Sequence, residues 1–185
     1  NPEVEEFDVV ARIHERFVAT GSLIPEAQRL IYSNIARAIS ASKGERVGGN
    51  TEANIHVVDV GCGCGLGSNL LSVSAEFVWG IDKSETAIAY ARQMFGRFKN
   101  GSCWSPQITF DVIDVKHEPR RLMAFDVVVC IEVIEHLCDV NPLLRFLKRC
   151  GKPGASYYVS TPNRNAWKGS SRATRPVNPY HVREW

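Results

Sequence analysis

Long apolar runs are missing from this chain of 185 residues: none approaches the roughly 20 residues that a helix needs to cross a bilayer. The first residues, Asn1 to Glu6, lack both the basic end and the apolar stretch of a signal peptide. An excess of one charge is lacking too. The 22 Lys and Arg against 20 Asp and Glu leave a formal net charge of +2, too little to point to a nucleic-acid partner by total charge. Six cysteines are present, at 62, 64, 103, 130, 138 and 150, but without a spaced pair of C-x-x-C knuckles. Cys62 and Cys64 alone would supply half a zinc site. Several of the others lie in apolar runs, where thiols act as small hydrophobes. These absences lead to the expectation of a soluble, cytoplasmic protein in a reducing compartment, with no membrane span.

What is present is an ordinary globular balance, 44% hydrophobic and 23% charged, enough for one domain with a core. Fibrous, collagen-like and disordered classes are excluded. Val4, Phe7, Val10, Ala11, His14 and Val18 recur at helical spacing, as do Ala27, Ile31, Ile35, Ala38 and Ile39 after Pro25. Residues 1–45 therefore read as an N-terminal helical cap. Lys43 to Asn54, with three glycines, breaks the pattern.

From Ile55 onward the apolar residues come in short continuous runs: Ile55 to Val60, Phe77 to Ile81, Ile108 to Val112, Phe125 to Ile131 and Tyr157 to Ser160. Continuous apolarity suits strands covered on both faces. Helix-length intervals such as Ser84 to Phe98 and Pro142 to Cys150 leave room for crossovers. The spacing predicts a doubly wound, Rossmann-like α/β fold over residues 46–163, a mostly parallel sheet with helices on both faces and ligands at its carboxyl edge. Residues 164–185 read as a basic loop, in which Arg164, Lys168, Arg172, Arg175 and Arg183 face a single acid, Glu184.

The chemistry gathers at the ends of those runs. Asp59, Gly61, Cys62, Gly63, Cys64, Gly65 and Gly67 form a glycine-rich turn after the first strand, where a ligand can approach the backbone closely. Asp82 ends the second strand about twenty residues on. It suits the two hydroxyls of a ribose, and it reads equally as a helix cap ahead of Ser84 and Glu85. Asp114 and its apolar neighbour Val115 follow the third strand, and Glu132, Glu135 and His136 follow the fourth.

In this order the segments VVDVGCGCG, GIDKS, DVID, FDVVVCIEVIEHL and GKPGASYYVSTPN resemble those of the class I S-adenosylmethionine-dependent methyltransferases, from Val57 to about Asn163. The ExxEH fourth motif is similar to that of the ubiquinone-biosynthesis O-methyltransferase type. The resemblance implies S-adenosyl-L-methionine as cofactor, with the backbone around Gly61, Gly63 and Gly65 at its methionine part, Asp82 at its ribose, and Asp114 and Val115 at its adenine. Asp59, Cys62, Lys83 and Ile131 complete the cofactor-binding candidates. Phe7, Ile13, Phe17 and Tyr32 are available to cover adenine or substrate. The resemblance also implies a seven-stranded sheet, whose last strands are missing before Trp185, so that a partner chain would have an edge to cover.

Glu132, Glu135 and His136 are the catalytic candidates, Glu132 toward the methyl donor and the acceptor pocket. Spaced i, i+3 and i+4, they share one face if the stretch is helical and then offer ligands to Mg2+ or Mn2+. His181 is a candidate fourth ligand, by similarity to the small-RNA 2′-O-methyltransferases. The methyl acceptor expected is an oxygen of a small molecule or a carbohydrate-like compound. Two alternatives stand beside it: an RNA 2′-O-methyltransferase with the divalent metal, for which Trp167 and Tyr180 are the nearby stacking aromatics, and a non-catalytic cofactor-binding module. The oligomeric state is not legible in the sequence.

Overall fold

The computed structural model describes residues 25–44, 54–96, 107–116, 125–163 and 181–182. The helix expected over Val4 to Val18 and nearly all of the basic loop lie outside the described residues.

Helix α1 (Glu26–Gly44) begins just after Pro25, whose fixed φ suits a helix start, and Glu26 places a negative charge in its first turn. Strand β1 (His56–Val60) runs into helix α2 (Leu66–Leu71), and β2 (Phe77–Asp82) into α3 (Glu85–Phe95). Strand β3 (Gln107–Val112) and strand β4 (Phe125–Ile131) follow. A 3₁₀ turn (Ile134–His136), helix α4 (Asn141–Cys150) and strand β5 (Gly151–Ser160) complete the order. All five strands are parallel, in the order β3-β2-β1-β4-β5. The expected doubly wound α/β fold is thus present, with five strands among the described residues.

The alternation of side chains along each strand builds two cores. Val57, Val78, Ile108, Phe110, Val127 and Val129 meet Tyr32, Ile35 and Ile39 of α1, Leu71 of α2 and Ile88 and Ala91 of α3. On the opposite face Val58, Val60, Ile81, Val128 and Cys130 meet Leu143, Phe146, Leu147 and Cys150 of α4. Helix α1, expected as part of a cap, carries three residues of the first core. No helix of the described residues is long and apolar enough to cross a membrane.

Strand β5 starts six residues earlier than its apolar run. Lys152, Pro153 and Gly154 interrupt the pattern, and the register jumps there, from Phe125 opposite Gly151 to Val127 opposite Ser156. The irregularity is held by an ion pair between Lys152 and Asp126, whose carboxylate also accepts from the His56 amide.

Phe146 has no exposed surface. Phe146→Ala should destabilise the fold by about 3–5 kcal/mol, measured by denaturant unfolding; a loss below about 1 kcal/mol would contradict the two-sided packing.

Candidate functional site

Parallel strands of matched register end together. Val60 lies opposite Ile81, Asp82 opposite Val112, and Ile131 opposite Ser160. The strand order reverses between β1 and β4, and the crevice at such a reversal is where ligands of doubly wound sheets sit. The glycine turn after β1 and the segment after β4 flank it.

The turn is bent by Gly61, Gly63 and Gly65, all with φ between +52° and +79°. It is tied to β2 at three points: the amides of Gly61 and Cys62 donate to the Ile81 carbonyl at 2.8 and 3.0 Å, and that of Gly63 donates to Asp82 Oδ2 at 2.9 Å. Gly61 is glycine for a second reason, since a Cβ there would stand 2.3 Å from Cγ2 of Val133, in the segment after β4. Cys62 and Cys64 are buried and in no disulfide, and desolvation raises the Cys62 pKa.

Asp59 has no exposed surface, and both of its oxygens are taken up internally. Tyr32 of α1 donates to Oδ1 at 3.1 Å and Ser68 of α2 donates to Oδ2 at 2.7 Å. Tyr32 is therefore a core residue with a polar tip, and its hydroxyl is spent on Asp59 rather than turned to a ligand. Burial pushes the Asp59 carboxyl from 3.8 up to about 6, against the lowering effect of the two hydroxyls.

Asp82, half-buried, spends Oδ1 on the Ser84 amide and Oδ2 on Gly63. The helix cap is Ser84, whose hydroxyl accepts from the Ala87 amide. The alternatives left open for Asp82 are thereby separated: it is not the N-cap of α3, and each oxygen has a further lone pair for a ligand hydroxyl. Lys83 beside it is exposed and Ile131 is buried. Asp114 and Val115 are half-buried after β3, with Asp114 Oδ1 accepting from the Lys116 amide.

The three candidates after β4 do not share one helical face. Glu132 stands at φ +57°, in the left-handed region, and the 3₁₀ turn starts only at Ile134. This corrects the i, i+3, i+4 reading: without an α-helix, Glu132 parts from Glu135 and His136. Glu132 is held by β5 instead, its amide donating to the Ser160 carbonyl at 3.1 Å and its Oε1 accepting from Ser160 Oγ at 2.8 Å.

Glu135 and His136 are joined by His181. Donor atoms of the three lie within 4.8 Å of one another, the rings of His136 and His181 meet edge to face at 5.0 Å, and the Val182 amide donates to the Glu135 carbonyl. Glu135 is fully buried. Its Oε2 accepts from Thr161 at 3.3 Å, its Oε1 is a buried oxygen without a hydrogen-bond donor, and desolvation raises its pKa.

Ser68, Ser160 and Thr161 were not legible as site residues, and Tyr32, expected to cover adenine or substrate, holds Asp59 instead. Tyr32 shares a helical face with Ile35 and Ile39, which signals burial, but its acid lies 27 residues away.

A family model described as a methyltransferase domain matches residues 51–181, more than half of the chain and all of the strands. The chain belongs to the class I S-adenosylmethionine-dependent methyltransferase family. This methyltransferase-family chain is similar to a probable S-adenosylmethionine-dependent methyltransferase of Mycolicibacterium smegmatis, 33% identical in an alignment of 133 residues that covers 69% of this chain and 45% of the relative. It is likewise similar to a ubiquinone biosynthesis O-methyltransferase of Coxiella burnetii, 34% identical over 113 residues, 60% of this chain and 44% of that one. The chain spans about half the length of the curated relatives that it matches. The fold is shared with a TehB-like SAM-dependent methyltransferase of Corynebacterium glutamicum at a TM-score of 0.58 and 20% identity, covering 81% of this chain and 69% of that one.

The raised Asp59 pKa sets a pH dependence of stability. The folded state holds this proton more tightly than the unfolded chain, so the contribution is fully present below pH 3.8 and lost as pH rises to about 6. The unfolding free energy of the parent should fall relative to that of Asp59→Asn by about 2 kcal/mol between pH 4 and 7. A constant difference in denaturant titrations across that range would refute the assignment.

Proposed function

We propose that the chain binds S-adenosyl-L-methionine in the crevice between the glycine turn and the segment after β4, and transfers its methyl group to an oxygen of a small-molecule or carbohydrate-like acceptor. The observation that carries this is the tie from Gly63 to Asp82, which sets a glycine-lined backbone and a ribose-type carboxylate 2.9 Å apart at the sheet reversal. The cofactor supplies an activated methyl on a sulfonium. The chain's residues then have to align the acceptor with that methyl and take up its proton. Asp82 would accept from the ribose hydroxyls, and Asp114 and Val115 would meet the adenine. Glu132 has its Oε1 fixed by Ser160, and its carboxylate would receive the acceptor's proton. The oxygen acceptor is supported by the likeness to a relative named for O-methylation.

A metal-assisted form of the reaction is favoured by one observation, the buried Glu135 Oε1 without a donor, beside two imidazoles. One carboxylate and two imidazoles fit a divalent ion such as Mn2+ or Mg2+. Glu135, His136 and His181 would hold it, and it would acidify and orient an acceptor hydroxyl. An RNA ribose is a further acceptor of this kind, and its binding would weaken steeply with salt.

Calorimetric titration with S-adenosylhomocysteine tests the first reading. The parent should bind, and Asp82→Ala should bind at least about tenfold more weakly, since hydrogen bonds to a charged group are lost; equal affinities would remove Asp82 from the site.

Titration with Mn2+ tests the second. Saturable uptake by the parent that is lost in His136→Ala and in His181→Ala is expected; no uptake, or uptake unchanged by both, would end the metal reading.

A further inference from the structure

Helix α1 meets the two elements that flank the glycine turn through the side chain of Tyr32. Tyr32 reaches across Gly67, where a Cβ would stand 2.2 Å from its ring carbon Cζ, and ends on Asp59 at 3.1 Å. The absence of a side chain at Gly67 is thus what lets the ring through, and this fourth glycine of the motif, inside α2, serves a helix contact. Ser68, the next residue, completes the clamp from α2. Asp59 is the penultimate residue of β1, two positions before Gly61, so what holds Asp59 holds the end of the strand from which the turn departs.

We propose that Tyr32 is a positioning residue for cofactor binding: through Asp59 and Ser68 it sets the glycine turn in the shape that receives S-adenosyl-L-methionine, and so couples helix α1 to cofactor affinity. This rests on the cofactor site proposed above. The warrant is geometric. Asp59 is fully buried and its two oxygens are taken by hydroxyls from two different helices, so removing either hydroxyl leaves a buried oxygen unsatisfied. The least costly relief is a shift of β1's end, and the three-point tie to β2 transmits such a shift to the amides of Gly61, Cys62 and Gly63.

The coupling has a pH signature. Ionised Asp59 accepts from both hydroxyls, whereas the protonated acid must itself donate and breaks that pattern. The groups that act on it are Tyr32 from α1, Cys62 in the turn, Asp82 at the end of β2 and Cys130 on β4. Both thiols and the Tyr32 phenol are shifted upward and stay neutral, which leaves Asp82 as the one charge among them. Tyr32→Phe keeps the ring over Gly67 and removes one donor that favours the ionised form, so the proton should be bound at higher pH.

The experiment is titration of the purified chain with S-adenosylhomocysteine from pH 5 to 8, on the parent, Tyr32→Phe, Asp59→Asn and the double variant, with thermal unfolding of each. The parent's affinity should fall as pH drops through about 6, the value to which burial raises Asp59. In Tyr32→Phe the affinity at pH 7 should be about tenfold weaker, as for loss of a hydrogen bond to a charged group, and the fall should begin at higher pH. Asp59→Asn should show no such fall, and the double variant should bind as Asp59→Asn does. Folded Tyr32→Phe with the parent's affinity and pH profile would overturn the assignment. A flat parent profile from pH 5 to 8 would overturn it even if Tyr32→Phe failed to fold. A parent that takes up no S-adenosylhomocysteine would overturn the cofactor site itself, and this inference with it.

Discussion

Everything at the carboxyl edge depends on keeping a carboxylate where water cannot reach it. Asp59 is the last polar group of β1 before the turn, and its burial is tolerated because two hydroxyls, from α1 and α2, replace its hydration. Desolvation still outweighs them, which is why the acid is weakened to about 6. The sheet pays that cost in one place and gains a fixed point there. From it the backbone turns through Gly61, is stitched to Ile81 and Asp82, and enters α2.

The second anchor lies across the crevice, where Val133 fills the space that a side chain at Gly61 would take. The two flanks of the site are in this way keyed to each other by shape. Behind them Ser160, the last residue of β5, and Thr161 just after it hold Glu132 and Glu135 by their carboxylates. The pair forms an inner row of hydroxyls, set at the end of the neighbouring strand and not by the segment that carries the acids.

The central strands β1 and β4 were legible because both of their faces are covered, and double burial writes a continuous apolar run. The edge strand β5 has no buried residue, so its first half, with Lys152, Pro153 and Gly154, carries no apolar run and went unseen. The chemistry-bearing acids were legible by position at strand ends. Their partners were not, since hydrogen bonds such as Tyr32 to Asp59 or Ser160 to Glu132 join residues 27 and 28 apart and leave no periodic trace. The spacing of Glu132, Glu135 and His136 misled for a definite reason: it presumes an α-helix, and the backbone at Glu132 turns the other way. His181 joined Glu135 and His136 although nothing in the spacing linked it to them.

That left-handed residue bears on how the chain would respond to laboratory selection. A non-glycine side chain at φ +57° carries conformational strain of about 1 kcal/mol or more, sustained by the two bonds to Ser160. Glycine or asparagine would relieve it. A screen that rewards heat resistance alone would therefore favour discarding the Glu132 carboxylate, enriching robust proteins stripped of the acid nearest the proposed chemistry.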